Sequence, residues 1–407
     1  MQSNQLVTRC CIAGGGPAGM MLGLLLARAG VPVVVLEKHG DFLRDFRGDT
    51  IHPSTLELMH ELGILEEFLR RPHQEVRTLG GQIGDDFVRV ADFGHLPTHC
   101  RFIVLMPQWD FLDFIAEQAR QYPAFQLRME ADVTDLIVES GRVAGVRAAV
   151  PDGELEVRAD LVIGADGRHS TVRAKAGLEI LDLGAPMDVL WMRLSRHPDD
   201  PGQTLGRFDT GRIFVMLNRN DYWQCAYVIP KGGYDEIRAR GLAAFRDEIV
   251  RLAPYLRDRT AELADWSDVK LLSVSVDRLR QWYRPGLLCI GDAAHAMSPV
   301  GGVGINLAIQ DAVAAANILA PRLQQGPVSE QDLRAVQQRR EFPTRATQAM
   351  QVAVQKRVIG RVLESTRKLS APLPVRLLRL MPFLTRLPAR LIGIGVRPEH
   401  VRTPVAT

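Results

Sequence analysis

The sequence predicts a mixed α/β fold: a parallel sheet with ligand-binding turns along one edge, an inserted sheet that is mostly antiparallel, and a helical C-terminal end. Three observations predict it. A complete strand–helix–strand unit opens the chain around Gly14-Gly15-Gly16-Pro17-Ala18-Gly19. Two later strand-to-turn junctions, Gly164-Ala165-Asp166-Gly167 and Gly291-Asp292-Ala293-Ala294-His295, repeat its layout. Between those junctions the texture changes to alternating apolar and polar residues with hairpin turns.

In the first unit, the apolar run Leu6 to Ala13 reads as a strand, and Met20 to Leu26 continue at helical density. Gly30 stops that helix, and Val31 to Leu36 form a second strand ending in Glu37-Lys38. The glycines follow G-x-G-x-x-G, and each has a mechanical reason. Gly14 allows a tight turn, Gly16 lets the backbone approach a pyrophosphate, and Gly19 lets helix and strand pack closely. The helix N-terminus offers free N–H groups and the positive end of its dipole to phosphates. Glu37 stands where a carboxylate accepts hydrogen bonds from an adenosine ribose. The motif alone does not separate FAD from NAD.

The middle junction follows a meander broken by Pro151-Asp152-Gly153, and its Asp166 lies on a loop after a strand. Upstream, Val133 is placed to lie against an adenine. The third junction leads through Pro299, Gly301 and Gly302 into a helix expected from Gly304 to Leu319. In a parallel sheet all three turns end at one edge, where the ligand crevice lies. One fingerprint holds a pyrophosphate; a second loop at Gly291-Asp292 then reaches the far half of an extended dinucleotide. The helix that follows offers N–H groups to an electron-poor ring, which suits a flavin better than a nicotinamide.

The three signatures, in this order and spacing, resemble those of the class A (single-component) FAD-dependent aromatic hydroxylases, the family similar to p-hydroxybenzoate hydroxylase. The likeness covers roughly residues 5 to 350. It implies a Rossmann-like FAD-binding domain with a three-layer ββα sandwich, formed by residues 1–75, 100–180 and 276–330. Residues 76–99 and 181–275 would form the substrate domain, and 331–407 a C-terminal helical region. It further implies that Glu37, with Lys38 beside it, serves the adenosine ribose. Arg47 would lie near the pyrophosphate and Gln108 on the flavin chain. Asp166 would serve both FAD and the nicotinamide donor, and Asp292 the ribityl or pyrophosphate region. Pro299 and the backbone Gly301-Gly302 to Gly304-Ile305-Asn306 would border the isoalloxazine. In such enzymes NADPH or NADH reduces the flavin. Oxygen then adds at C4a, and the hydroperoxide transfers OH to an activated carbon of an aromatic or polyketide-like molecule. No second strand-linked G-x-G-x-x-G is present for the nicotinamide, as in the family.

In the inserted sheet, Trp191, Met192, Phe214, Met216, Tyr222, Trp223, Gln224 and Tyr227 alternate along strands. Some line a substrate pocket and the rest form core; the sequence does not say which. A single amphipathic helix is expected from about Asp235 to Ala253. No catalytic triad or carboxylate pair stands out. His52, in "GDTIHPS", is the one candidate for a catalytic group, whereas His295 reads as an organiser of its loop. A halogenase is disfavoured, because Lys38 is the only lysine in the first 170 residues and "WQCAYVIP" lacks a second tryptophan. A dehydrogenase or reductase of the same fold, and a flavin-binding sensor without turnover, stay open.

The net charge of +3 calls for no nucleic-acid partner. After residue 320, however, 16 Arg and Lys face 5 Asp and Glu. Pro321 is expected to end the preceding helix, and Ser329 to cap the next. The basic apolar end, interrupted by Pro374, Pro382 and Pro388, reads as a helical cap in preference to a membrane-surface helix. The five cysteines form no CxxC pair, and Cys10, Cys11 and Cys289, inside apolar strand-like runs, read as small buried thiols. With no signal peptide ahead of the first strand, a cytoplasmic monomer or homodimer is expected, its partners a small aromatic substrate and O2.

Overall fold

The structure, a computed structural model, describes residues 4–43, 50–84, 86–201, 205–366, 369 and 381–406. Its first element, strand Asn4–Ala13, is the centre of an eight-stranded sheet. The sheet order is Tyr283–Arg284, Leu287–Cys289, Gly153–Gly164, Asn4–Ala13, Val33–Leu36 and Phe125–Arg128. Four of these five pairings are parallel, and only Tyr283–Arg284 with Leu287–Cys289 is antiparallel. Every residue of Val33–Leu36 is buried, as expected of a parallel strand covered on both faces. Strand Gly153–Gly164 is longer than its final apolar run suggests. Residues 153–158 pair antiparallel with Arg142–Val150, which in turn pairs with Asp132–Glu139, while on the other edge residues 155–164 pair parallel with Asn4–Ala13.

Register decides where the turns emerge. Ala13 pairs with both Leu36 and Gly164, and Gly164 pairs with Cys289. The strands before all three glycine turns therefore stop in line. Helix Pro17–Arg28 is apolar nearly all round and buried from Ala18 to Ala27. It packs between helices Gln108–Arg120 and Gly304–Gln325.

The second large sheet has seven strands in the order Lys270–Leu272, Met187–Ser195, Tyr222–Pro230, Arg212–Asn218, Leu205–Asp209, Thr78–Ile83 and Asp86–Asp92. Both of its faces are covered. Met192, Phe214, Met216, Trp223 and Tyr227 pack with Ile237, Phe245, Ile249 and Leu252 of two short helices. Val189, Ile213, Ala226 and Val228, with Trp191 and Val215, form the other face, beside Val300, Ile359 and Val362. A small third sheet joins Thr50–Ile51, Ile103–Leu105 and Gln74–Val76.

Two local expectations need correction. The helix expected from Asp235 to Ala253 is two helices, Tyr234–Ala239 and Leu242–Leu252, because Gly241 takes a φ of 88° that no helix accommodates. Helix Gly304–Gln325 does not stop at Pro321 but runs through it. Pro321 is exposed, so water can meet the carbonyl that loses its partner there. Ser329 does cap helix Glu330–Val354, in a capping box with Asp332.

After helix Arg386–Gly393, the chain returns as an extended strap, residues 396–406, across the helices of the first sheet. Pro374 lies outside the described residues. All five cysteines are free and buried. Among the described residues, one helical stretch, Val300–Gln325, is long and apolar enough to cross a membrane, and 72% of its apolar window is buried in the core.

Candidate cofactor and substrate site

The three glycine turns meet. Ala165 N–H donates to Ala13 O at 2.8 Å, and Ile290 N–H to Gly164 O at 2.9 Å. At Gly14, whose φ is 107°, a Cβ would stand 2.4 Å from the carbonyl oxygen of Ala165, so only glycine lets the first turn lie against the second. At Gly19 a Cβ would stand 2.0 Å from Gly14 O. Gly291, with a φ of 58°, sits between Ala18 and Ala308, each 3.1 Å from where its Cβ would be. The third turn thus abuts the helix that the first turn begins.

Gly16 is different. A Cβ there would meet nothing within 4 Å. It is the N-cap of helix Pro17–Arg28, which has no side-chain cap and no acidic residue in its first turn. The helix therefore presents N–H groups to open space, the arrangement that receives a phosphate. Such an open, uncapped helix start suits the pyrophosphate of a dinucleotide.

Beside it, Glu37 accepts from Gly15 N–H at 3.0 Å and from His39 N–H at 3.1 Å. Lys38 is exposed. Ala131 N–H donates to Glu37 O at 2.9 Å, which brings buried Val133 alongside the end of the second strand. Asp166 accepts from Ser170 Oγ at 2.6 Å and Val172 N–H at 3.0 Å. Burial pushes its carboxyl up, against the pull of those two donors. Asp292 faces Arg168 at 3.5 Å. Arg173, buried, reaches Asp277 and Ala293 O and so holds the second turn to the third.

The segment after the third turn is built around Asn306. Its Oδ1 accepts from His52 N–H and Thr55 Oγ, both at 2.8 Å, and its Nδ2 donates to Thr50 O at 3.0 Å. Thr50 Oγ donates to Gly302 O at 2.8 Å, and a Cβ on Gly302 would stand 2.3 Å from that hydroxyl. Pro299, the double positive-φ turn Gly301-Gly302, and Gly304-Ile305 at the uncapped helix start are held against strand Thr50–Ile51. Gln108 begins helix Gln108–Arg120. Arg47 lies outside them.

His52 is completely buried. Its Nδ1–H donates to Ile392 O at 2.7 Å, in the C-terminal helix. Burial pulls its pKa down to about 4, against the raising effect of that bond. The imidazole is therefore neutral near pH 7, and its buried Nε2 has no hydrogen-bond partner among the described residues. His295 donates from Nε2 to Asp311 at 2.5 Å and lies tilted against Trp282.

A cavity of about 280 Å³ lies between the strand–helix loop at Leu105–Trp109 and the seven-stranded sheet. Pro107 and Trp109, which flank Gln108, form one wall; Arg193, Tyr222 and Gln224 form the other. Arg193 pairs with Gln224 one pleat step beyond Trp191 and Ala226. The cavity is therefore on the sheet face against which Val300 packs. The Arg193 guanidinium lies 3.9 Å from the Tyr222 ring centroid. Buried Gln224 accepts from Arg219 Nε at 3.1 Å, and its Nε2 has no partner among the described residues. Of the eight residues expected to alternate, Met192, Phe214, Met216, Trp223 and Tyr227 are core, while Trp191, Tyr222 and Gln224 are on the cavity's face. Sequence reasoning missed Arg168, Arg173 and Asp311. Only the "IQDA" run of residues 309–312 carried a signal, an acid on an otherwise apolar helix.

A model of the FAD binding domain matches residues 7–350. The chain belongs to that family, the FAD-dependent aromatic monooxygenases. It is 35% identical over 378 residues to the 6-methylpretetramide 4-monooxygenase of Streptomyces rimosus, covering 91% of this chain and 89% of the relative. It is 28% identical to the dialkyldecalin synthase of Streptomyces rugosporus, with 74% and 63% covered. Among solved structures, PqsL of Pseudomonas aeruginosa, a probable FAD-dependent monooxygenase, superposes with a TM-score of 0.74 at 23% identity, covering 88% and 97% of the two chains. That likeness supports the fold.

Proposed function

We propose that this monooxygenase uses NADPH or NADH and O2 to hydroxylate an aromatic or polyketide-like small molecule seated in the cavity lined by Trp109 and Tyr222. Bound FAD, once reduced, supplies the oxygen activation. The chain's residues bind, orient and exclude water. Gly16 and the helix behind it take the pyrophosphate; Gly14, Pro17, Ala18 and Gly19 shape that turn. Glu37 serves the ribose, with Lys38 and Val133 flanking the adenosine end. Asp166, Gly291, Asp292 and Gln108 serve the ribityl side, and Pro299 to Asn306 the ring. The eight-stranded unit is the cofactor domain and the seven-stranded unit the substrate domain. The observation that carries this reading is the contact of the third turn with the first around the open face of Gly16.

In the cavity, Trp109 and Tyr222 offer flat apolar surface to a planar ring. Gln224 offers a donor, because Arg219 holds its amide oxygen. A substrate with an oxygen acceptor at that edge fills the unmet donor, whose solitary burial costs about 1–3 kcal/mol. Gln224→Leu is expected to raise KM about tenfold with a smaller effect on kcat, since it removes binding common to ground and transition states.

The test of the function is a screen for aromatic compounds that accelerate NAD(P)H-dependent bleaching of the flavin absorbance, followed by product analysis for one added oxygen. Ligand-gated bleaching with hydroxylated product is the expected result. A flavin that no ligand and no excess of NADPH can bleach would point instead to a chain that binds FAD without using its redox chemistry.

A further inference from the structure

We propose that the C-terminal strap positions the third glycine turn for the flavin half of the cofactor, acting through a buried chain of charges from Glu399 to Gly291. The proposal rests on the FAD site described above.

The chain of contacts is continuous, and its members Glu399, Arg340 and Asp311 are buried. Glu399, 6% exposed, forms a two-pronged pair with Arg339, at 2.6 and 3.1 Å. Its Oε1 also accepts from Arg340 Nη1 at 3.3 Å, and its N–H donates to Gln310. Arg340, 1% exposed, donates from Nε to Asp311 Oδ1 at 2.9 Å. The other oxygen of Asp311 accepts from Gly291 N–H at 3.1 Å and from His295 Nε2 at 2.5 Å. Asp311 has no exposure at all. One carboxylate thus fixes both ends of the Gly291-to-His295 turn that carries Asp292.

Burial alone would push the Asp311 carboxyl up; the His295 ring and the Arg340 guanidinium outweigh it and hold it below the usual range. Asp311 is therefore held ionised by His295 and Arg340 together, and Arg340 is itself balanced by Glu399. Removing one member leaves a buried charge without its partner. The rest of the strap gives Glu399 its place. His400 O accepts from Asn317 Nδ2, Val401 N–H donates to Glu61, and Thr403 O accepts from Arg28 Nη1. Two of those anchors are on the helices that begin at the first and third turns, Pro17–Arg28 and Gly304–Gln325.

A strap that only staples helices together would affect every ligand alike. A strap that aims the third turn affects FAD but spares ADP, which engages the first turn and Glu37 alone. The experiment therefore compares both ligands on apoprotein of Glu399→Gln and Asp311→Asn. FAD is followed by flavin fluorescence, ADP by calorimetry, and the fold by the apoprotein's melting temperature. FAD affinity is expected to fall about tenfold or more, as when an outer partner is lost at a metal site, with ADP affinity kept within about twofold. Equal losses for FAD and ADP, or no loss for either, overturn the proposal. If Asp311→Asn fails to fold, Glu399→Gln decides by the same criterion. Absence of FAD binding by the unsubstituted chain would instead remove the cofactor site itself.

Discussion

At the scale of single residues, two glycines in one turn do opposite jobs. Gly14 is needed by the protein, because its φ of 107° and the Ala165 carbonyl leave no room for a side chain. Gly16 has an ordinary φ of −75° and open space beside it, so the room is kept for a ligand. Gly14→Ala is thus expected to destabilise the apoprotein by about 2 kcal/mol or more. Gly16→Val should leave apoprotein melting unchanged while FAD affinity collapses; urea melts and flavin titration separate the two. His52 gives a pH prediction. Its folded pKa of about 4 is below its ordinary 6.5, so protons favour the unfolded chain. Its contribution is complete above 6.5 and is lost as pH falls from 6.5 towards 4, by roughly 3 kcal/mol in all. His52→Gln should flatten the melting temperature against pH across that window, and an unchanged slope would contradict the assignment. The glycine roles were legible in the sequence because a turn is local. His52 was not, since the carbonyl that claims it belongs to Ile392, at the other end of the chain.

At the scale of elements, hydrophobic pattern revealed the strands but could not choose their faces. In a sheet with solvent on one side, apolar residues mark the inner face. Here Trp223 packs on Phe245 and its helix while Ala226 packs towards Val300, so both faces read as apolar. Trp223→Ala is expected to cost about 3–5 kcal/mol of stability and to leave FAD affinity in the refolded fraction intact, because its cavity opens on the face away from the cofactor. Pro321 misled for a related reason. Proline disfavours a helix interior by about 3 kcal/mol, but the apolar contacts of the rest of helix Gly304–Gln325 outweigh one lost bond on an exposed turn. Pro321→Ala should therefore stabilise the protein by about 1–3 kcal/mol, read as a raised melting temperature. Gly241 was legible in principle: a glycine inside an amphipathic run is a candidate break.

At the scale of the molecule, the candidate site is an arrangement of sheet register. The strands before the three turns stop level, so residues from three distant parts of the sequence share one crevice. This much follows from sequence, because strand–turn–helix junctions of a parallel sheet end at one edge whatever lies between them. The cavity wall did not, since Pro107 and Trp109 meet Arg193 and Gln224 only through the packing of two sheets. Nor did the strap, whose glutamate meets Arg339 and Arg340 some 60 residues earlier in the sequence, on helix Glu330–Val354. The most direct measurement is a titration of the apoprotein with FAD, repeated on Gly16→Val and Asp292→Ala. One site per chain that both substitutions weaken is the result this account predicts. Two sites, or a substitution in either turn that leaves the affinity unaltered, would contradict it.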